Sequence, residues 1–192
     1  VREGFCRRYM LWVKVFALAV AMGVVSGVVM GYQFGTNWSA FSDAVGSVIG
    51  PLLGYEVLTA FFLEATFLGV MLFGWSKVGE RLHFIATCAV AIGTTISAFW
   101  ILSANSWMQT PAGHAYDVAT GTFYAEDWMK VIFNPSFPSR LVHMLLAAYI
   151  TTASVIMAAG AWQVLKGRIS EPGKIQMRMA AGTLALLMPL QI

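Results

Sequence analysis

Charged side chains are scarce in this 192-residue chain, at 11% of the total, where a soluble domain carries about 25%. With 58% of the residues hydrophobic, there is too little polar material to cover a water-facing surface. Disorder, a collagen-like repeat and a disulfide scaffold are excluded by the same composition. Cysteine is almost absent: Cys6 lies among arginines and Cys88 inside an apolar run. Two such distant thiols form no metal or redox spacing and read as small membrane hydrophobes. A basic stripe with interleaved aromatics is also missing, and the net charge is only +3, so nucleic acid is excluded as a partner. The eleven methionines have no spacing that signals copper. Neither an internal repeat nor a low-complexity segment is present.

What the chain does have is long apolar runs. A bilayer core of about 30 Å requires about 20 apolar residues of helix. Runs of that kind cover residues 11–32, 48–75, 82–102 and 141–165, and a fifth covers 177–192. The expected fold is an all-α integral membrane helical bundle, with four complete transmembrane helices plus a truncated fifth in one transmembrane domain over residues 1–192. The sequence ends Leu-Met-Pro-Leu-Gln-Ile, without a helix stop or polar anchor, and begins Val-Arg-Glu-Gly-Phe, without Met or signal-peptide architecture. Both ends are therefore read as artificial, and the chain as a fragment of a longer one.

Basic residues set the expected orientation. Arg2, Arg7, Arg8 and Lys14 surround the start of the first span, Lys77 and Arg81 join the second to the third, and Lys166, Arg168, Lys174 and Arg178 join the fourth to the fifth. Ten of the twelve basic residues thus lie on one side, which the positive-inside rule makes cytoplasmic. Residues 34–46 and 104–138 are then expected to face outward. These outer segments are rich in aromatics, including Trp38, Trp107, Tyr124 and Trp128. They suit an interfacial aromatic belt or a lid over something held near the outer face.

An ionisable side chain in mid-membrane is costly unless paired, solvated or neutralised, so each one points to function. The second span carries two, Glu56 and Glu64. On a regular α-helix, eight residues separate them by about 12 Å in rise and about 80° in azimuth. Both can then face one interior cavity. Desolvation raises a carboxyl pKa toward neutrality, which suits such a group to proton transfer. The competing reading is two neutral carboxyls hydrogen-bonded to neighbouring helices.

Of the three histidines, His83 starts the third span and is read as interfacial, and His114 lies in a polar loop and is read as solvated. His143 lies about one turn inside the outer end of the fourth span, with Ala147 and Ala148 a turn later. Imidazole is a common ligand of haem iron, and the alanines leave room for a flat group. The outer half of the third span carries Thr94, Thr95, Ser97, Ser103 and Asn105. These residues serve either close helix packing or a wet file for protons.

Particular strings narrow the choice. Gln-Phe-Gly-Thr-Asn-Trp at 33–38, Gly-Pro-Leu-Leu-Gly-Tyr-Glu at 50–56, Ala-Phe-Phe-Leu-Glu-Ala-Thr-Phe at 60–67 and Phe-Gly-Trp at 73–75 come first. They are followed by Ser-Ala-Phe-Trp-Ile-Leu-Ser-Ala-Asn-Ser-Trp-Met-Gln at 97–109, Phe-Asn-Pro at 133–135 and Val-His at 142–143. In this order they resemble subunit I of cytochrome bd quinol oxidase, and the wording of 103–111 is most similar to the cyanide-insensitive branch of that family. The resemblance implies that His143 is an axial ligand of the low-spin haem b. It implies that Glu56 stands beside the high-spin haem pair, a haem b with haem d or a b-type haem in its place. It further implies that Glu64 and Ser97 lie on a proton route to that pair. Ala65 departs from members with serine there, which puts the detail of the route in doubt. The family's other haem ligands and its quinol loop match nothing in these residues.

By resemblance, the expected function is that of a haem-containing subunit of a terminal quinol oxidase in a bacterial cytoplasmic (inner) membrane. It would oxidise quinol at the outer face and reduce oxygen to water in aerobic respiration, with protons drawn from the cytoplasm. Subunit II is the implied partner, and a small accessory subunit is compatible with the same reading. The fragment alone is expected to be inactive. The alternatives are a proton-coupled transporter using Glu56 and Glu64 without haem, and a structural membrane anchor.

Overall fold

The computed structural model describes residues 2–168 and 170–191, so the final residue of the expected fifth span lies outside the described residues. Inside a bilayer every backbone polar group must be satisfied within the chain, which makes continuous helix the natural state of the apolar runs. The helices are α1 (Arg2–Thr36), α2 (Ser39–Glu56), α3 (Phe62–Phe73), α4 (Glu80–Gln109), α5 (Trp128–Ile132), α6 (Phe137–Leu165) and α7 (Glu171–Gln191). A π-helical turn, Val57–Phe61, joins α2 to α3. Strands β1 (His114–Asp117) and β2 (Thr122–Ala125) form an antiparallel hairpin between α4 and α5.

Four helical stretches are long and apolar enough to cross a membrane: Glu3–Thr36, Ser39–Phe73, Glu80–Gln109 and Trp128–Leu165. Their surfaces expose Leu18, Met22, Val25, Leu58, Phe62, Phe84 and Ile92, as lipid-facing side chains require. The architecture is the expected all-α membrane bundle.

The chain divides into two compact units, Val13–Pro138 and the pair Val1–Trp12 with Ser139–Ile192. In the first, the core is built by Val45, Val48, Ile49 and Leu52 of α2 against Ala104 and Trp107 of α4 and Val131 of α5. Those four α2 positions follow the i, i+3, i+4, i+7 spacing of one helical face. For that reason most of the loop expected at 34–46 is helix. The break shrinks to residues 37 and 38, whose N–H groups both donate to the Gln33 carbonyl at the end of α1. Burial of Ala104 and Trp107 likewise extends α4 to Gln109, seven residues past the expected span. Asn134, fully buried, donates its amide to the carbonyls of Ser103 and Val131 and so ties the segment after α5 to α4.

The hairpin was not legible as such in the sequence. Asp117 makes its turn: one carboxylate oxygen accepts the Ala119 N–H at 2.9 Å and the other accepts the Thr120 hydroxyl at 2.8 Å. Gly121 closes the turn at φ +69°, a conformation open to glycine without a Cβ clash.

In the second unit, the Arg8 guanidinium donates to Gln163 at 2.8 Å, Gln176 at 3.1 Å and Ser170 at 2.8 Å. One cation thereby joins the start of α1, the end of α6 and the start of α7. Met177 of α7 lies directly over Gly160 of α6, where a Cβ would stand 2.2 Å from the Met177 Cγ. Helix α7 begins six residues before the expected start of the fifth span, because Pro172 and Gly173 are already buried in its first turn.

Candidate functional site

Glu56 ends α2 and Glu64 lies in the first turn of α3, with the π-turn between them. The Phe62 N–H donates to the Val57 carbonyl, five residues back. A π-turn takes up one residue more than an α-turn, so the eight residues from Glu56 to Glu64 rotate about as far as seven. Seven steps come to about 700°, about 20° short of two full turns. The azimuth of about 80° expected for a regular α-helix is thus corrected: the irregular turn brings both carboxyls onto nearly the same face.

That face meets α4. The Ser97 hydroxyl donates to Glu56 Oε1 at 2.7 Å. The Thr94 hydroxyl lies 3.0 Å from Glu64 Oε1 and 2.9 Å from its own-helix carbonyl of Val90, and shares its one hydrogen between them. Both carboxyl-bearing residues are half-buried. Gly93 faces Glu64 where the helices meet: a Cβ there would stand 3.4 Å from the backbone nitrogen of Glu64, so a methyl fits and a much larger side chain does not.

One turn beyond Ser97, the Trp100 indole N–H donates to the Thr59 hydroxyl at 2.9 Å. Its ring stacks on Tyr55 with centroids 5.3 Å apart and planes at 21°. Thr59 lies within the π-turn and itself donates to the Tyr55 carbonyl at 2.6 Å. Gly93, Ser97 and Trp100 share one stripe of α4, with Thr94 beside it. Tyr55, Thr59 and Trp100 were not singled out from sequence. Their signal was the i, i+3 relation of Ser97 to Trp100, which carries meaning once the partner helix is known.

A hydroxyl is both donor and acceptor. Paired with a carboxyl away from bulk water, it can hold that group's orientation and relay a proton to or from it. Two such pairs, on one face of one helix pair, make a short polar track through apolar surroundings. Among the described residues, no cluster of three or more His, Cys, Asp or Glu side chains could hold a metal ion.

The histidines separate. His83, read as interfacial, is buried, its Nε2 3.0 Å from the Met71 carbonyl and its ring edge-on to Trp75. His114, read as solvated, is half-buried between Trp107 and Phe123, with edge contacts at 5.5 and 5.4 Å. The hairpin folds it back onto α4, which a loop reading could not foresee. His143 belongs to the other compact unit, and its side chain is exposed on α6. Its ring nitrogens lie 3.0 and 3.2 Å from the amide nitrogen of Gln191 on α7. An exposed imidazole with Ala147 and Ala148 a turn away fits a flat porphyrin ligand. The nearby Gln191 Oε1, buried without a partner among the described residues, shows that the polar groups of this spot are incompletely satisfied.

A multi-span helical membrane protein with two hydroxyl-paired carboxyls inside one helix pair, and an exposed imidazole on another helix, is the class these features define. Residues 2–192 match the family model for cytochrome bd terminal oxidase subunit I, and the chain belongs to that family. It is 41% identical over 183 residues to the cytochrome bd-II ubiquinol oxidase subunit 1 of Escherichia coli (strain K12), covering 94% of this chain and 36% of that protein. It is 37% identical over 164 residues to the cytochrome bd ubiquinol oxidase subunit 1 of Bacillus subtilis (strain 168), covering 85% and 35%. The bd oxidase structure from Geobacillus thermodenitrificans superimposes with a TM-score of 0.84 at 31% identity, over 94% of this chain and 41% of that one. The chain spans about a third of the length of these two sequence relatives.

Proposed function

We propose that this chain is part of the haem-bearing subunit of a terminal quinol oxidase in the bacterial inner membrane. There it works with a second subunit to oxidise quinol and reduce oxygen to water. The observation that carries the reading is the pairing of Glu56 with Ser97 and Glu64 with Thr94 on one helix face. Haem, when bound, supplies the redox chemistry, while the protein sets binding, orientation and electrostatics.

The chain's own residues take the following parts. His143 would hold the low-spin haem b through an imidazole nitrogen. Glu56, its carboxyl oriented by the Ser97 hydroxyl, would stand beside the high-spin pair and pass a proton toward it. Glu64, held by Thr94, accepts protons from the cytoplasmic side. Charge arriving in a low-dielectric interior needs a compensating opposite charge, and a carboxyl within the membrane span that can take up and release a proton provides it.

The test is a reduced-minus-oxidised spectrum and quinol-dependent oxygen uptake of the complete natural complex carrying Glu56→Gln or Glu64→Gln. Assembled complexes with their haem bands and strongly reduced oxygen uptake are expected. Unchanged uptake in both variants would point to a structural anchor. A wild-type complex without any b- or d-type band would point to a haem-free transporter.

A further inference from the structure

A π-turn is a rare interruption of an α-helix, and Val57–Phe61 contains no proline or glycine to force one. The turn is therefore held by what packs against it. Thr59 is its polar residue, and the Thr59 hydroxyl accepts the Trp100 indole N–H at 2.9 Å while donating to the Tyr55 carbonyl at 2.6 Å. The Trp100 ring also stacks on Tyr55, so this one side chain of α4 grips the chain on both sides of Glu56. Three residues earlier on α4, Ser97 holds the Glu56 carboxyl itself. Within a membrane span, a polar group released from such a contact finds no water in exchange.

Rewinding the segment as regular α-helix would rotate α3 by about 100° relative to α2, one residue's step. At the Cα cylinder, about 2.3 Å from the axis, that moves Glu64 sideways by about 3.5 Å, and its carboxyl by more. Glu64 would then leave the Thr94 hydroxyl, while Glu56 stayed with Ser97. We propose that Trp100 is a positioning residue for Glu64: its indole hydrogen bond to Thr59 holds the π register that keeps both carboxyls on one face. The inference rests on the reading of Glu64 as a proton carrier. It adds a determinant whose hydrogen bond is made to the turn and not to either carboxyl.

The experiment measures kcat, the quinol KM and the haem difference bands of the complete complex for Trp100→Phe, Thr59→Val, Thr59→Ser, Thr94→Val, and Trp100→Phe combined with Thr94→Val. Phenylalanine keeps a ring on Tyr55 and removes the N–H, and valine keeps the shape of threonine and removes the hydroxyl. Trp100→Phe and Thr59→Val should each lower kcat by up to about fivefold, the equivalent of one net hydrogen bond, with KM and the haem bands at their wild-type values. Thr59→Ser, which keeps the hydroxyl, should stay near the wild-type rate. Because Trp100 acts through the pairing of Glu64 with Thr94, the combined variant should be no slower than the slower of its two single variants. That pattern supports the proposal. A wild-type kcat in Trp100→Phe and Thr59→Val, a serine variant as slow as the valine one, or a combined variant slowed by the product of the single effects overturns it. If Trp100→Phe does not assemble, Thr59→Val takes its place in the combination and the same criteria decide. The reading of Glu64 fails separately, by unchanged oxygen uptake in Glu64→Gln.

Discussion

The hydroxyl of Ser97 donates to Glu56 Oε1 at 2.7 Å across 41 residues of sequence, joining the middle of α4 to the last residue of α2. A hydrogen bond of this kind contributes about 1 kcal/mol net. If it orients the carboxyl for proton transfer, Ser97→Ala should slow oxygen uptake by the complete complex about fivefold, the rate equivalent of that energy. Ser97→Thr, which keeps the hydroxyl, should stay near the wild-type rate. Uptake measured with saturating quinol checks both.

Gly93 lies where α4 packs against Glu64 of α3, with room for little more than a methyl. A methyl group there would meet Glu64 at 3.4 Å, an ordinary contact, so Gly93→Ala should change stability by less than about 1 kcal/mol. Gly93→Leu must push the helices apart, at a cost of about 1 to 3 kcal/mol, and should weaken the Thr94 to Glu64 hydrogen bond. Thermal unfolding midpoints of the detergent-solubilised complex would show a clear fall for leucine and little change for alanine.

Two glycines of the hairpin region distinguish backbone strain from crowding. Gly121, at φ +69°, has open space where a Cβ would stand, its nearest contact 3.8 Å away at the Tyr116 hydroxyl. Gly121→Ala should therefore cost only the left-handed backbone term, about 1 to 2 kcal/mol. Gly113, at φ +68°, would also place a Cβ 2.5 Å from the Asp127 carbonyl oxygen. Gly113→Ala should open the hairpin, and limited proteolysis should cut it faster than the Gly121→Ala hairpin.

The carboxyl of Asp117 is held below the usual carboxylate range, chiefly by the Ala119 N–H and then by the Thr120 hydroxyl. A depressed folded pKa contributes stability above the unfolded value, about 3.9, and loses it as pH falls through the folded value. Protection of the hairpin amides should exceed that of Asp117→Ala at neutral pH. The difference should vanish in acid, below about pH 4 and down through the folded value. Hydrogen exchange referenced to intrinsic rates at each pH measures it.

Much of this protein was legible before any fold was known. Glu56 and Glu64 were conspicuous because a carboxyl inside an apolar run is costly wherever the run lies. The extension of α2 back to Ser39 was also written in the spacing of Val45, Val48, Ile49 and Leu52, although an aromatic, polar-looking segment hid it. The π-turn was not legible. Val57–Phe61 contains neither proline nor glycine, and its register is stabilised through Trp100 and Thr59 from two different helices.

By itself the sequence determined membrane residence, a helical backbone and the residues able to hold a proton or a metal, since these follow from composition and from intervals of three or four residues. Tertiary structure alone decided that Ser97 meets Glu56, that Thr94 meets Glu64, that His114 turns inward onto Trp107, and that Gln191 stands at His143. Such pairs lie tens of residues apart along the chain, except for the hairpin contact. They form because helix faces of matching shape pack at a particular height and rotation. No local interval records that height and rotation, because both depend on every side chain in the contact at once.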